Sequence, residues 1–392
     1  MPRSPLPTLK LCALLLCLIL APPLLSAERE DGAVVVYILA GQSNMEGHGQ
    51  TRSLPVLAES ADGRELLALL RDANGEWRSR DDVTMHWPGH RKPTGPLGPG
   101  WGYGAEEVGP ELGFGALMGE RHEEHVLLIK VAWGGKDVFC DFRAPSAAPP
   151  AGDEAALLAK ERANGNEREV GAYYRRMLAD IRGSLASIET LVPGAARDRV
   201  RLGGFAWFQG WNDYCRWHER DPADDRLIGD GIIEAYPGNL AAMIRDLRSD
   251  LQTPELPVVI GEMGIGGVGI DARAKRSPND REAHAIIAFR EAQRRTLEER
   301  GMTRVSFVPT VAYWDDRLEE LREIRDRWEQ EKRKEGIPST VENELPTAEQ
   351  SEEYRARGGH WYCHYNGSAA NYVRVGAALA RSLPSEPGAP AD

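Results

Sequence analysis

Cysteine is scarce in this chain, with five among 392 residues. Two of the five, Cys12 and Cys17, lie in an apolar N-terminal stretch, and the loss of that stretch would leave three. At most one intramolecular disulfide can then form. A bridge between Cys215 and Cys363 and a pair of buried free thiols are both compatible with the sequence. A fold held by a disulfide framework is therefore excluded, and we expect stability to depend on the hydrophobic core, which 42% hydrophobic residues can supply.

Clustered positive charge is also missing. Acidic residues outnumber Lys and Arg by 60 to 48, the formal charge is -12, and no basic block stands out along the chain. Proteins that bind nucleic acids neutralise phosphates with grouped lysines and arginines. The composition therefore excludes nucleic acid as a partner and favours neutral or weakly charged substrates.

The apolar run at the N-terminus is too short for a stable membrane anchor. It covers residues 11–21, whereas a spanning helix needs about 20 apolar residues. Arg3 and Lys10 precede it, and prolines and small residues follow it up to Ala27, which is the order of a secretory signal peptide. We expect residues 1–27 to be cleaved and the protein to be secreted or periplasmic.

The most informative stretch present is a strand that ends in glycine. Residues 34–40 (VVVYILA) carry no charged or amide side chain, which is typical of a central parallel strand covered on both faces. Gly41, Gln42, Ser43 and Asn44 follow. A serine there lies at the carboxyl edge of the sheet, where open α/β sheets bind ligands, and Gly41 permits a tight turn. Ser43 is thus a candidate nucleophile, and the alternative interpretation is that Ser43 or Asn44 caps the following helix.

Strand-like and helix-like segments alternate along the rest of the chain. This alternation predicts an α/β fold, a three-layer α/β/α sandwich with a central parallel sheet in one domain, residues 28–383, followed by a disordered tail, 384–392. Residues 46–101 and 140–165 are expected to be mostly irregular. The predicted strands are 34–40, 126–133, 202–208, 257–261 and 304–308. The predicted helices are 111–121, 170–188, 237–251, 281–300, 315–335 and 368–383, with Pro237 in the first turn of its helix.

Three further motifs supply the partners that a serine nucleophile needs. A serine hydroxyl requires a base that titrates near neutral pH, and His364 before the last helix is the candidate. The oxyanion of acyl transfer requires fixed N–H donors. The backbone N–H groups of Ser43 and Gly135, with Gly134 as the alternative to Gly135, and the side-chain amide of Asn212 are the candidates.

These motifs resemble the four conserved blocks of the SGNH hydrolases. The matching residues are Gly41-Gln42-Ser43-Asn44-Met45, Trp133-Gly134-Gly135-Lys136, Gly210-Trp211-Asn212-Asp213 and His364 with its helix. The GQSNM sequence is most similar to the sialate O-acetylesterase domain family, related to carbohydrate esterase family six. The resemblance implies an SGNH hydrolase-like, flavodoxin-like α/β/α fold. It also implies a serine esterase without metal or cofactor that removes O-acetyl groups from carbohydrates through an acetyl-serine intermediate.

The sequence departs from that family pattern at one place. An acid usually stands three residues before the histidine, and here the position is Trp361. Either no group orients His364, or Glu262, Asp213 or the main-chain carbonyl of Trp361 does so instead. Loss of the acid lowers the rate of triad enzymes without always abolishing it.

Several residues are candidates for substrate contact, and two other functions stay open. Gln42, Gln209 and Asp213 are expected to line the pocket. Trp207 and Trp211 could stack on a sugar or belong to the core. Residues 86–93 could line a sugar cleft or form a plain surface loop. The alternative functions are a carbohydrate-binding protein on an impaired esterase scaffold and a lipase or thioesterase of the same fold.

Overall fold

A computed structural model of the chain describes Met1, residues 32–336 and residues 344–384. The predicted signal peptide, apart from Met1, and the predicted tail, apart from Pro384, lie outside the described residues. Within those ranges, no helix combines the length and the hydropathy that crossing a membrane requires. Cys140, Cys215 and Cys363 are free thiols, so Cys215 and Cys363 do not form the disulfide that the sequence allowed.

Within the described residues, seven strands form the main sheet, in the order β4-β3-β6-β1-β7-β8-β9. Neighbouring strands are parallel except for β3 and β4, which pair antiparallel at one edge. In the part of the chain that the structure describes, a second sheet consists of β2 and β5. The strands are β1 (Val34–Gly41), β2 (Gly49–Gln50), β3 (Arg80–His86), β4 (Thr94–Leu97), β5 (Glu107–Val108), β6 (His125–Ala132), β7 (Val200–Phe208), β8 (Val258–Gly261) and β9 (Val305–Val308).

Helices flank the sheet, which confirms the predicted α/β fold. The helices are α1 (Ser43–Glu46), α2 (Ala61–Leu70), α3 (Glu111–Arg121), α4 (Asp153–Ala163), α5 (Ala172–Ala186), α6 (Ile188–Leu191), α7 (Trp211–Tyr214), α8 (Gly229–Asp250), α9 (Gly269–Arg276), α10 (Arg281–Arg295), α11 (Asp316–Lys334), α12 (Ala348–Arg357) and α13 (Ala369–Ser382). The last helix packs mainly on α3, and α10 packs on α8.

The central strand β1 determines where the functional loops meet. All eight of its residues are buried, as expected for a strand with helices over both faces. The strands β6-β1-β7-β8-β9 have the flavodoxin-like order, in which ligands bind beside the first strand where the winding direction reverses. Gly41 at the end of β1 is in register with Ala132 of β6 and with Phe208 of β7. The loops after these three strands therefore leave the sheet side by side.

Regular structure extends into segments that were expected to be irregular. Strands β3 and β4 and helix α2 lie within residues 46–101, and α4 lies within 140–165. Strand β3 does not show the hydrophobic pattern of a buried strand, because it contains Arg80 and Asp82, which are buried and form an ion pair with each other. The position predicted for Pro237 is wrong: α8 begins at Gly229, so Pro237 lies inside the helix. Packing of the preceding turns, in which Ile232, Ile233 and Tyr236 are buried, outweighs the hydrogen bond that proline cannot make.

Candidate active site

The residues after β1 form a tight turn into the short helix α1. Glycine is required at Gly41, because a side chain there would collide with the carbonyl oxygen of Phe208 on the adjacent strand. Gln42 is the N-cap residue, and its Oε1 accepts hydrogen bonds from the Asn44 N–H and from Ser43 Oγ at 2.9 Å. Ser43 is the first helical residue and caps nothing. Helix capping, the alternative to a catalytic role, is therefore not the role of the Ser43 hydroxyl.

Two buried contacts hold this turn in place. The Tyr372 hydroxyl on α13 donates to Asn44 Oδ1 at 2.8 Å. The Lys130 ammonium on β6 donates to the Glu46 carbonyl at 2.6 Å and forms an ion pair with Glu111 at 2.8 Å. Both charged side chains are completely inaccessible to solvent. An unpaired buried charge is costly, so Lys130 stays paired with Glu111. The same ammonium group thereby holds the Glu46 carbonyl, and with it the end of α1, in place.

The glycine turn after β6 lies against the serine. A Cβ placed on Gly134 would lie 3.6 Å from Ser43 Cβ and 3.0 Å from Glu46 Oε2. Burial raises the pKa of Glu46, and the Gly134 N–H opposes that shift because it faces the carboxyl group. Gly135 follows in a left-handed conformation with φ of 76°. In the described part of the chain its N–H makes no hydrogen bond, so it is a better candidate oxyanion donor than Gly134.

Gln209 and Asp213, which follow β7, connect two of the candidate loops. The Asp213 carboxyl accepts hydrogen bonds from Val138 N–H at 2.9 Å, Phe139 N–H at 3.1 Å and Gln209 Nε2 at 2.6 Å. Gln209 Nε2 also donates to the Lys136 carbonyl at 3.1 Å. Gln209 is 2% and Asp213 1% exposed. Both side chains are therefore placed to hold the loops together rather than to line an open pocket.

Two amide side chains of the site have a buried atom without a partner. Within the described residues, Gln42 Nε2 and Asn212 Oδ1 are inaccessible and make no hydrogen bond. Native structures rarely leave buried polar atoms unpaired, and each one costs free energy unless a ligand or water satisfies it. The unused Nε2 donor of Gln42 fits the substrate-binding role predicted for that residue. The oxyanion role predicted for Asn212 would use its Nδ2 donor, because its Oδ1 is an acceptor.

His364 lies in an unusual turn, the 3₁₀ segment Tyr362–Gly367. The residues after it are left-handed: Tyr365 with φ of 53°, Asn366 with φ of 50° and Gly367 with φ of 75°. Two consecutive non-glycine residues in this region are strained, and such strain persists only where surrounding contacts enforce it. Here the buried Tyr365 hydroxyl accepts a hydrogen bond from the Gly264 N–H at 3.0 Å. The turn therefore fixes the position of His364.

The His364 ring stacks on a histidine that the sequence did not indicate. His48 and His364 have ring centroids 3.9 Å apart and an interplanar angle of 6°. His48 Nδ1 lies 3.4 Å from Glu107 Oε2. No hydrogen bond among the described residues joins Ser43 Oγ to the His364 ring, and the Ser43 hydroxyl donates to Gln42 Oε1. His364 Nδ1 is buried and has no hydrogen-bond partner in the described ranges.

Burial keeps His364 uncharged. Desolvation, with the neighbouring His48 and His360, lowers the pKa of His364 to about 3, and Glu107 opposes this shift. The Glu107 carboxylate itself has its pKa lowered to about 2, because hydrogen bonds from His48 and from the Gly104 N–H outweigh its own desolvation. Glu107 is thus the carboxylate that favours a protonated His364.

None of the three groups expected to orient His364 makes a hydrogen bond to its ring in the described part of the chain. The Trp361 carbonyl accepts the backbone N–H of His364, at 2.9 Å. Asp213 bonds the loop after β6. Glu262 Oε2 is buried and has no hydrogen-bond partner among residues 32–336 and 344–384, and Glu262 Oε1 lies 3.9 Å from Arg294 Nη2.

The aromatic candidates divide between core and surface. Trp207 is fully buried, and Trp211 packs against the core, which favours the core role for both. Residues 86–93 do contribute to a cleft of about 290 Å³, next to α1 and the glycine turn. Its lining includes Trp87, His90, Arg91, Tyr103, Trp133 and Arg176.

Sequence reasoning missed His48 and Glu107. His48 stands only five residues after Ser43, which is the single signal that could have drawn attention to it. Glu107 lies on the two-residue strand β5, which has no periodicity to detect.

Comparisons with known proteins place the chain in a family. The family model described as "Carbohydrate esterase, sialic acid-specific acetylesterase" matches residues 33–299, more than half of the chain. That range includes Ser43, Gly135 and Asn212 but ends before His364. No curated protein matches the sequence significantly.

Two solved structures are similar at low identity. An Arabidopsis thaliana protein is 17% identical, with 89% of this chain and 97% of that one covered and a TM-score of 0.41. A carbohydrate acetylesterase from Xanthomonas citri is 16% identical, with 71% of this chain and 49% of that one covered and a TM-score of 0.36. On the strength of the family match, this chain belongs to the carbohydrate esterase family of sialic acid-specific acetylesterases.

Proposed function

We propose that this protein is a serine esterase that removes O-acetyl groups from carbohydrates through an acetyl-serine intermediate. One observation carries the proposal: Ala132, Gly41 and Phe208 are in register across the sheet. The loops that hold Gly135, Ser43 and Asn212 therefore begin side by side. Membership of a carbohydrate esterase family supports the same chemistry.

In the first half of the reaction, Ser43 Oγ attacks the acetyl carbonyl and His364 takes the hydroxyl proton. The hydroxyl must turn away from Gln42 Oε1, its present acceptor. The carbonyl oxygen becomes an oxyanion, which the N–H groups of Ser43 and Gly135 and the Asn212 amide stabilise. Removal of one such fixed donor raises the activation free energy by about 2.7–4 kcal/mol.

In the second half, collapse of the tetrahedral intermediate breaks the bond to the sugar oxygen, and His364 returns its proton to that oxygen. The acetyl group stays on Ser43. Water then attacks the acetyl-enzyme while His364 takes a proton from it, and acetate leaves as the proton returns to Ser43. Burial favours the uncharged ring that both attacks need, since it lowers the pKa of His364.

Hydrolysis of p-nitrophenyl acetate and of acetylated sugars by the wild type and by Ser43→Ala tests the proposal. We expect the wild type to hydrolyse both and Ser43→Ala to lose at least about 1,000-fold in kcat, because the nucleophile is gone. Equal rates in the two proteins would contradict a Ser43 mechanism.

A carbohydrate-binding protein on an impaired scaffold is the second candidate. Trp361 at the usual acid position favours it, as does the absence of a hydrogen bond to the His364 ring within the described residues. Binding of an acetylated sugar without turnover would support this candidate. A preference for long acyl chains over acetate would instead indicate a lipase or thioesterase.

We also propose export by way of residues 1–27, which N-terminal sequencing of the mature protein tests.

A further inference from the structure

Four aromatic rings, Tyr103, His48, His364 and Trp361, contact one another in that order at the candidate site, and the His360 ring stacks beside the last three. The ring centroids of Tyr103 and His48 are 5.1 Å apart, those of His48 and His364 3.9 Å, and those of His364 and Trp361 5.7 Å. Successive planes differ by 35°, 6° and 25°, so His48, His364 and Trp361 are stacked and the Tyr103 ring is tilted against His48. The two inner rings are buried, whereas the two outer ones are exposed.

The exposure of the outer rings is exceptional for this molecule. Tyr103 is 62% and Trp361 65% exposed, and in the described ranges only Met1 and Val268 are comparable large hydrophobic residues. Large apolar side chains left in water forgo the free energy of burial, about 25 cal/mol per Å². Two such residues at the ends of one series of rings at the candidate site therefore point to ligand contact.

Both outer residues are fixed to the backbone that carries the candidate catalytic groups. The Tyr103 N–H donates to the carbonyl of Gly47, which directly follows α1, at 2.8 Å. The Trp361 carbonyl accepts the His364 N–H at 2.9 Å. These hydrogen bonds hold the main chain of both residues beside that of the candidate catalytic groups, and the contacts with His48 and His364 support the two rings.

We propose that Tyr103 and Trp361 are stacking platforms for two different pyranose units of an oligosaccharide substrate, one on each side of the acetylated unit. This inference rests on the proposed function. The C–H faces of a pyranose are apolar and pack on aromatic rings. Tyr103 contacts His48 and Trp361 contacts His364, and no ring contact among the described residues joins Tyr103 to Trp361, so we assign the two platforms to different sugar rings. The preferred substrate is therefore an acetylated oligosaccharide or polysaccharide rather than a monosaccharide.

Kinetics on matched substrates test the platforms. The substrates are acetylated xylotetraose, acetylated mannotetraose, the corresponding acetylated monosaccharides and p-nitrophenyl acetate. The wild type should prefer at least one tetrasaccharide over its monosaccharide. In Trp361→Ala and Tyr103→Ala, the ratio of kcat/KM for that tetrasaccharide to kcat/KM for p-nitrophenyl acetate should fall about 3- to 10-fold. Any disturbance of His364 affects both substrates and cancels in the ratio.

Three further variants separate stacking from general damage. Trp361→Phe and Tyr103→Phe keep an aromatic face and should restore most of the ratio, whereas Val268→Ala, exposed elsewhere, should leave it unchanged. An unchanged ratio in both alanine variants, or no preference for either tetrasaccharide, would overturn the proposal. If the wild type hydrolyses none of the esters, the proposed function fails. In that case, calorimetry of the two unacetylated tetrasaccharides with the wild type and with Trp361→Ala tests the platforms separately. Weaker binding to Trp361→Ala would support them, and equal or no binding would overturn them.

Discussion

Individual side chains at this site have unusual surroundings, and His364 is the clearest case. Burial lowers its pKa to about 3, which suppresses the charged form and makes it a weaker base than a solvated histidine. Glu107 counters this effect through its charge, with His48 between the two groups. In triad enzymes an acid bonded directly to the histidine stabilises the imidazolium. Here the available carboxylate acts across a stacked ring instead.

Replacing that carboxylate should therefore weaken the base. We expect Glu107→Gln to lower the pKa of His364 further, to move the acidic limb of kcat/KM to lower pH and to reduce kcat at pH 7 by up to about tenfold. Ring titration by NMR and a pH profile measure both effects. Glu106→Gln, an exposed neighbour, is the matched control and should behave as the wild type. An unchanged or raised pKa of His364 in Glu107→Gln would show that Glu107 has no such role.

At the level of secondary-structure elements, the Asp213 carboxyl group joins the loops that follow β6 and β7. Asp213 accepts hydrogen bonds from two backbone N–H groups of the first loop and from Gln209 on the second. Its removal would leave these donors buried and unpaired, at about 1–3 kcal/mol each. The same loops carry Gly135 and Asn212, so stability and activity should be lost together.

We accordingly expect Asp213→Ala to lower the free energy of unfolding by about 2–5 kcal/mol and to reduce kcat more than KM changes. Urea unfolding and steady-state kinetics measure the two effects. Asp213→Asn keeps one acceptor oxygen and should lose less of both. If Asp213→Ala is as stable as the wild type, the carboxyl group does not hold these loops.

Strands that end in glycine could be predicted from sequence because their signal is local. Residues 34–40, 126–133 and 202–208 are apolar runs that stop at glycine or just before it, and the structure has strands there. Strand β3 was missed because its buried Arg80 and Asp82, which form an ion pair with each other, interrupt the apolar pattern by which a buried strand is recognised. Ser43 was found through the turn that follows its strand. The stacking of His48 on His364 joins residues from distant parts of the chain, and no periodicity or spacing marks such a contact.

For the molecule as a whole, the site adds a pH-dependent term to stability. A histidine whose pKa falls on folding binds its proton more readily in the unfolded chain, where the usual value is about 6.5. As pH falls below 6.5, the unfolded state gains a proton that folded His364 does not take up until about pH 3. The free energy of unfolding therefore decreases with acidification in this window and is unaffected above it.

This linkage predicts that His364 alone lowers the free energy of unfolding by about 2 kcal/mol between pH 7 and pH 5. Urea unfolding of the wild type and of His364→Gln at pH 7, 6 and 5 isolates the effect, because the other titrating groups are common to both proteins. The wild type should lose more stability than His364→Gln as the pH falls. Parallel losses in the two proteins would mean that His364 is as easily protonated folded as unfolded, in a site open to water rather than closed around a neutral base.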